Sequence, residues 1–194
     1  MTPGEQENLD NRLTAADGHH DIKTVQALLA AGADVHAWND HALLWAAVRG
    51  HTEMVKVLNA AGGEVHTNND WALCIAAQHG HIETVQMLLA AHADVHAHSD
   101  WALRWAAGYG HTETVKVLAK HIFAPNAWRG KSRVEIEAEA GGLYEKIKAE
   151  NPPSEHLRKA ATILVDCALQ CWEHVRPASP KLTISPLPAQ PRPL

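Results

Sequence analysis

Histidine, cysteine and tryptophan are the residues in this 194-residue chain that could do chemistry: 15 histidines, three cysteines, and seven tryptophans against one phenylalanine. Cys74 and His79 could pair as a nucleophile and its base. Both fall in a segment whose apolar pattern predicts packed helix, so a core cysteine is the expectation. Glu135, Glu137 and Glu139 alternate in sequence, and on a helix their carboxylates fan apart rather than converging as an acid and base. His92, His96 and His98 form the nearest approach to a metal cluster, but no Glu-plus-His or Cys-plus-His helical spacing supports it. Glycine-rich phosphate loops, a nucleophile elbow and an H-E-x-x-H motif are all missing from the sequence. The expectation is a protein without a catalytic site, metal or cofactor.

The spacing of these residues follows a larger rule. A step of 30 residues links Asp40, Asp70 and Asp100, then Leu43, Leu73 and Leu103, then the pairs Ala46-Ala47, Ala76-Ala77 and Ala106-Ala107. It also links Gly50-His51, Gly80-His81 and Gly110-His111. A fixed period of this length predicts a solenoid. Residues 5–37 read as a first, degenerate copy, with Asp10, Leu13, Val25, Leu28 and Val35 in phase and a turn one residue shorter. Its polar opening, Glu5-Gln6-Glu7-Asn8, suits a terminal repeat that must face water.

Each full copy predicts two short antiparallel helices. The first is expected to start at an N-cap aspartate, Asp40, Asp70 or Asp100, and to end at the glycine of Gly-His. The second carries Val55/Leu58, Val85/Leu88/Leu89 or Val115/Leu118 on one face and ends near Gly32, Gly62 or His92 in the successive copies. A single pair cannot bury both apolar faces, but stacked pairs can.

The segments Gly32-Ala33-Asp34-Val35-His36-Ala37 and Ala93-Asp94-Val95-His96-Ala97, with the Ala-Ala-x-x-Gly-His-x-Glu-x-Val cores, resemble ankyrin repeats over residues 5–123. The resemblance implies an all-α helical-repeat solenoid of about four repeats. Two departures stand out. The family's Thr-Pro-Leu-His start is replaced by His41-Ala42-Leu43-Leu44, Trp71-Ala72-Leu73-Cys74 and Trp101-Ala102-Leu103-Arg104, and the unit is about three residues shorter than the usual ~33, which predicts clipped hairpin fingers. This shortened form is similar to repeats of giant viruses and of some bacteria and protists.

The resemblance also implies a non-catalytic module, an adaptor or scaffold, that binds another protein on the concave face of its first helices. Carried over by position, the surface residues after Ala-Ala are Val48-Arg49, Gln78-His79 and Gly108-Tyr109, and the finger remnant supplies Trp38, Asn68 and His98. Arg49, His79 and Tyr109 have no evident structural duty, which makes them the leading contact candidates beside Trp38, Gln78 and His98. Trp71 and Trp101 share a phase with His41, while Trp45 and Trp105 share another with Ile75. A ladder of this kind is either packing that fills the space of the clipped finger or a set of binding anchors; burial decides. A small-ligand or enzymatic groove lined by Trp, His and Arg is the alternative use of the same surface. The histidines of Gly-His are expected to make a backbone hydrogen bond. Equivalent histidines in adjacent repeats, ~10 Å apart by helix packing, are too distant to share a zinc that needs nitrogens at ~2 Å.

Beyond Phe123 the pattern decays. A helical extension or cap is expected over 124–176, with a helix from Ser132 to about Glu150 and a stronger one from Ser154 to about Val175. In the latter, Leu157, Ala161, Leu164, Ala168, Cys171 and Val175 form an apolar stripe that would cap the last repeat or join a homodimer. Residues 177–194 hold six prolines and read as a Pro-rich, polyproline-like tail.

Charge limits the partners. Through Phe123 the chain has 14 acidic and 7 basic residues, which argues against nucleic acid. No apolar run reaches membrane-spanning length and the N-terminus shows no charged-then-apolar leader. With three cysteines in no zinc or disulfide pattern, a cytoplasmic protein is expected.

Overall fold

The structure, a computed structural model, describes residues 2–18, 21–125, 128–151 and 154–175. The Pro-rich tail at 177–194 lies outside the described residues. Ten helices are present among them and no strand: α1 (Pro3–Gly18), α2 (Ile22–Ala30), α3 (Ala37–Arg49), α4 (Thr52–Ala60), α5 (Thr67–Gln78), α6 (Ile82–Ala90), α7 (Ala97–Tyr109), α8 (Thr112–Ile122), α9 (Arg133–Glu150) and α10 (Glu155–Val175).

The 30-residue period appears as two rows of helices. The odd-numbered helices α1, α3, α5, α7 and α9 pack side by side in one row, and α2, α4, α6, α8 and α10 form the second. Between the rows lies one core. The Ala-Ala pairs are fully buried because only a methyl fits where adjacent first helices approach, and Leu43, Leu73, Leu103, Val55, Val85, Val115, Leu58, Leu88 and Leu118 fill the space behind them. Truncating Leu103 to alanine would cost ~2–5 kcal/mol through this core.

The clipped finger is a turn followed by a left-handed stretch. Trp38-Asn39-Asp40, Asn68-Asn69-Asp70 and His98-Ser99-Asp100 all have φ between 51° and 67°. Three consecutive left-handed residues are costly for side chains with a Cβ, ~1–2 kcal/mol each, and Asn, Asp and His tolerate the region better than most. His92, at φ 66°, ends α6 where its counterparts are glycines.

This geometry corrects the N-cap reading of the aspartates. Asp40 accepts hydrogen bonds from the next repeat: from the Glu64 amide at 3.0 Å and the Thr67 hydroxyl at 2.6 Å, with His36 Nδ1 donating to it at 3.1 Å. Asp10 makes the equivalent bond to the Asp34 amide at 2.8 Å. Asp70 accepts from His66 Nδ1 at 2.8 Å. Asp100 accepts from His96 Nδ1 at 2.7 Å and from Lys146 Nζ of α9 at 2.6 Å. All three aspartates at the first-helix starts are buried. Asp10, Asp40 and Asp100 act as staples to the next unit of the stack, and the left-handed backbone aims Asp40 and Asp100 there.

α9 and α10 continue the two rows. Ser132 and Glu135 close a capping box at the start of α9, which holds the Glu135 carboxyl below the usual range. Ile136, Ala140, Leu143 and Ile147 of α9 are buried, as are Leu157, Leu164, Ala168 and Cys171 of α10. The predicted stripe of α10 thus lies against its neighbours within the chain. Gly141 and Gly142 sit on the exposed side of α9, where no other atom lies near them.

Candidate functional site

The odd-numbered row presents its side chains in register. Along α3 these are Trp38, His41, Trp45 and Arg49; along α5, Asn68, Trp71, Ile75, Gln78 and His79; along α7, His98, Trp101, Trp105 and Tyr109. From His41, Trp71 and Trp101 onward, three- and four-residue steps put them on one face of each helix, opposite the buried Ala-Ala pairs, while Trp38, Asn68 and His98 lie in the left-handed stretch before it. The only carboxylates in these three helices are Asp40, Asp70 and Asp100, all buried.

At the centre of this face four rings gather. Trp71 meets Trp101 at 5.7 Å and Trp105 at 5.5 Å, edge to face, while Trp101 stacks on Trp105 at 5.0 Å and on His98 at 4.8 Å. His98 also donates to the Asn68 carbonyl at 3.2 Å. The three indoles are half-buried and packed on the core, so the ladder both fills space and presents surface. The two tryptophan phases, separate in sequence, form one cluster because position 105 of α7 leans over position 71 of α5, its neighbour in the row.

Around this centre stand exposed aromatics. Trp38 and Tyr109 are each 61% exposed and Trp45 39%. Trp45 donates from Nε1 to His41 Nε2 at 2.7 Å and lies 4.7 Å beneath the Arg49 guanidinium. Gln78 donates to the Tyr109 hydroxyl at 3.3 Å, and Tyr109 stacks on His111. His79 bonds the Ile75 carbonyl through Nδ1 and stacks on His81. Arg49, His79 and Tyr109 therefore do have local contacts, contrary to the expectation of no structural duty, and these contacts fix their orientation while leaving them exposed.

The Gly-His histidines make the expected backbone bonds across repeats: His81 Nε2 donates to Val48 O and His111 Nε2 to Gln78 O, both at 2.9 Å. Cys74 is fully buried, and burial pushes its thiol up to about 11, so it is held as an inert neutral group away from exposed His79. His92, His96 and His98 do not converge; among the described residues no group of three or more His, Cys, Asp or Glu could hold a metal ion. Trp45, Trp105 and His41 join the expected site residues on this face; the signals for them in the sequence are the phase that Trp45 and Trp105 share with Ile75 and the phase that His41 shares with Trp71 and Trp101. Arg104 of α7 is buried and donates to Ser99 O at 3.0 Å.

Residues 13–99 match the family model for ankyrin repeats, in three copies. The chain carries ankyrin repeats. Ankyrin repeats are in general protein–protein interaction modules, and this array follows their two-row helical architecture. The matched span ends at the start of α7, and the rest of the last repeat pair, α7 and α8, keeps the same Gly-His turn, buried Ala-Ala pair and left-handed start. A comparison with curated proteins returns no match. No helix among the described residues is long and apolar enough to cross a membrane.

Proposed function

We propose that this ankyrin array is a non-catalytic cytoplasmic adaptor that binds a partner protein on its concave face, the face of α3, α5 and α7. The observation that carries the reading is the placement of the exposed large aromatics. Of the five large apolar side chains exposed among the described residues, Trp38, Trp45 and Tyr109 lie on this one face, with Arg49 stacked on Trp45. Trp, Tyr and Arg dominate interface hot spots because they bring large rigid area and a polar tip. Trp71, Trp101, His98, Gln78 and His79 complete the surface.

The open shape of the face and the inert Cys74 give the enzymatic alternative little to work with. A homodimer through 154–175 would have to use the outer side of α10, where Val165 is exposed, since the apolar stripe is already covered. The test is affinity capture from lysate of the source organism by the wild type and by the Arg49→Ala, His79→Ala, Tyr109→Ala triple variant, its fold checked by circular dichroism. A partner retained by the wild type and lost by the folded variant supports the reading. A partner retained equally by both removes the concave face from consideration.

A further inference from the structure

The aromatic cluster of α5 and α7 has unspent hydrogen-bonding capacity. Trp45 donates its indole N–H to His41 and Trp128 donates to Ile122 O at 2.7 Å. The indole N–H groups of Trp71, Trp101 and Trp105 have no protein acceptor among the described residues, although all three rings are half-buried and held by mutual stacking. Rigid, aromatic-lined surfaces with outward indole donors suit proline-rich segments, whose rings stack on indole and whose carbonyls lack competing neighbouring N–H groups.

The chain itself ends in such a segment. Residues 176–194 hold six prolines, the apolar Leu182, Ile184, Leu187 and Leu194, three cationic side chains (Arg176, Lys181 and Arg192) and no Asp or Glu. The repeat part carries 14 acidic against 7 basic residues, so long-range attraction holds the tail near the array, and contact on this face, which has no exposed carboxylate, rests on its rings and indole donors. Arg192, between Pro191 and Pro193, adds a cation that an indole face accepts.

The positions agree. The last turn of α10 shares a cavity with the end of α8, lined by Phe123, Pro125, Cys171 and His174. α7 runs antiparallel to α8, and His96, just before the aromatic cluster, shares a second cavity with Ile122 and Trp128. Val175 therefore leaves the fold at the end of the stack where His98 and Trp101 stand. Crossing from α10 past α8 to α7 is about two helix spacings, ~20 Å. Ten extended proline-rich residues span ~30 Å.

We propose that residues 176–194 dock in cis on the Trp71, His98, Trp101 and Trp105 cluster and compete there with outside partners. This rests on the concave face being a binding surface. The test is the set of indole N–H signals in nitrogen-15 NMR spectra of the full chain, each assigned by a Trp→Phe substitution. The wild type is compared with a full-length Pro186→Ser, Pro188→Ser, Pro191→Ser, Pro193→Ser variant, the unchanged Trp128 signal reporting an intact fold. The signals of Trp71, Trp101 and Trp105 are expected to shift in the variant, independently of protein concentration, and to return when a synthetic peptide of residues 176–194 is added. Identical signals in the two proteins would overturn the proposal, and a shift that depends on concentration would overturn its cis form. If the signals do not move yet the concave triple variant loses its captured partner, the tail inference fails and the binding face stands.

Discussion

The imidazole of His81 lies directly over Gly50, so close that a Cβ on Gly50 would come within 2.5 Å of His81 Nδ1, while Nε2 donates to Val48 O at 2.9 Å. His111 covers Gly80 in the same way, and His156 at the start of α10 covers Gly110. One ring thus joins each of these two repeats to the turn before it, and the C-terminal pair reuses the device although its own sequence has no Gly-His at that point. The motif is conformational and steric at once: the glycine adopts φ near 70° and gives up the space that the next histidine fills.

Gly80→Ala should therefore cost more than backbone strain alone. The added methyl meets the His111 ring at 2.5 Å and breaks its bond to Gln78 O, for a loss of ~2–4 kcal/mol. At Gly62 a Cβ meets nothing within 4 Å, so Gly62→Ala should lose only the ~1–2 kcal/mol of a left-handed residue. Urea unfolding of the two variants checks the order; equal losses would contradict the stacking role of His111.

Asp40→Ala should lose ~2–4 kcal/mol in the same assay, because it removes the acceptor of three part-buried bonds, from the Glu64 amide, the Thr67 hydroxyl and His36 Nδ1, and leaves Ala at positive φ. Asp40→Asn, which keeps an acceptor and tolerates the left-handed region, should recover part of that loss. An N-cap acting only on its own helix would cost nearer ~1 kcal/mol.

The buried Cys74 thiol gives a pH dependence of defined sign. Its folded pKa, pushed up to about 11, lies above that of the unfolded thiol, ~8.5. The stability it contributes is full below the unfolded value and is lost as pH rises through about 11, by on the order of 3 kcal/mol. Unfolding free energies from pH 8 to 11 should fall more steeply in the wild type than in Cys74→Ala. Cys74 should also resist alkylation until the protein unfolds.

Removing Lys146 tests whether α9 is stapled like a further repeat. Lys146→Met removes the donor at 2.6 Å from the buried Asp100 carboxylate, which keeps His96, and should lower stability by ~1–3 kcal/mol. The loss should shrink in an Asp100→Asn background, as a double-mutant cycle would measure.

The repeat was legible in the sequence because its signals are local and periodic: Leu43, Ala46-Ala47 and Gly50-His51 recur at fixed steps and each has one steric meaning. The helix ends at Gly50, Gly80, Gly110 and His92 followed from the same logic. Asp40 was misread because its partner, the Glu64 amide, lies 24 residues away and is reached only through three left-handed residues that no periodicity announces. The union of Trp71 with Trp105 was equally hidden, since it depends on how α7 leans across α5. The orientation of Arg49, His79 and Tyr109 rests on rings from neighbouring turns and repeats, which position in the motif alone does not give.

The most direct measurement of the central claim is the dissociation constant of the captured partner for the wild type, for Trp38→Ala and for Tyr109→Ala, with Val165→Ala on α10 as an exposed control. Binding on the concave face predicts a loss of ~30-fold or more for at least one of the two aromatic variants, as for a hot spot worth ~2 kcal/mol, with the control unchanged. Unchanged affinity for both aromatic variants, or a loss confined to Val165→Ala, would contradict it.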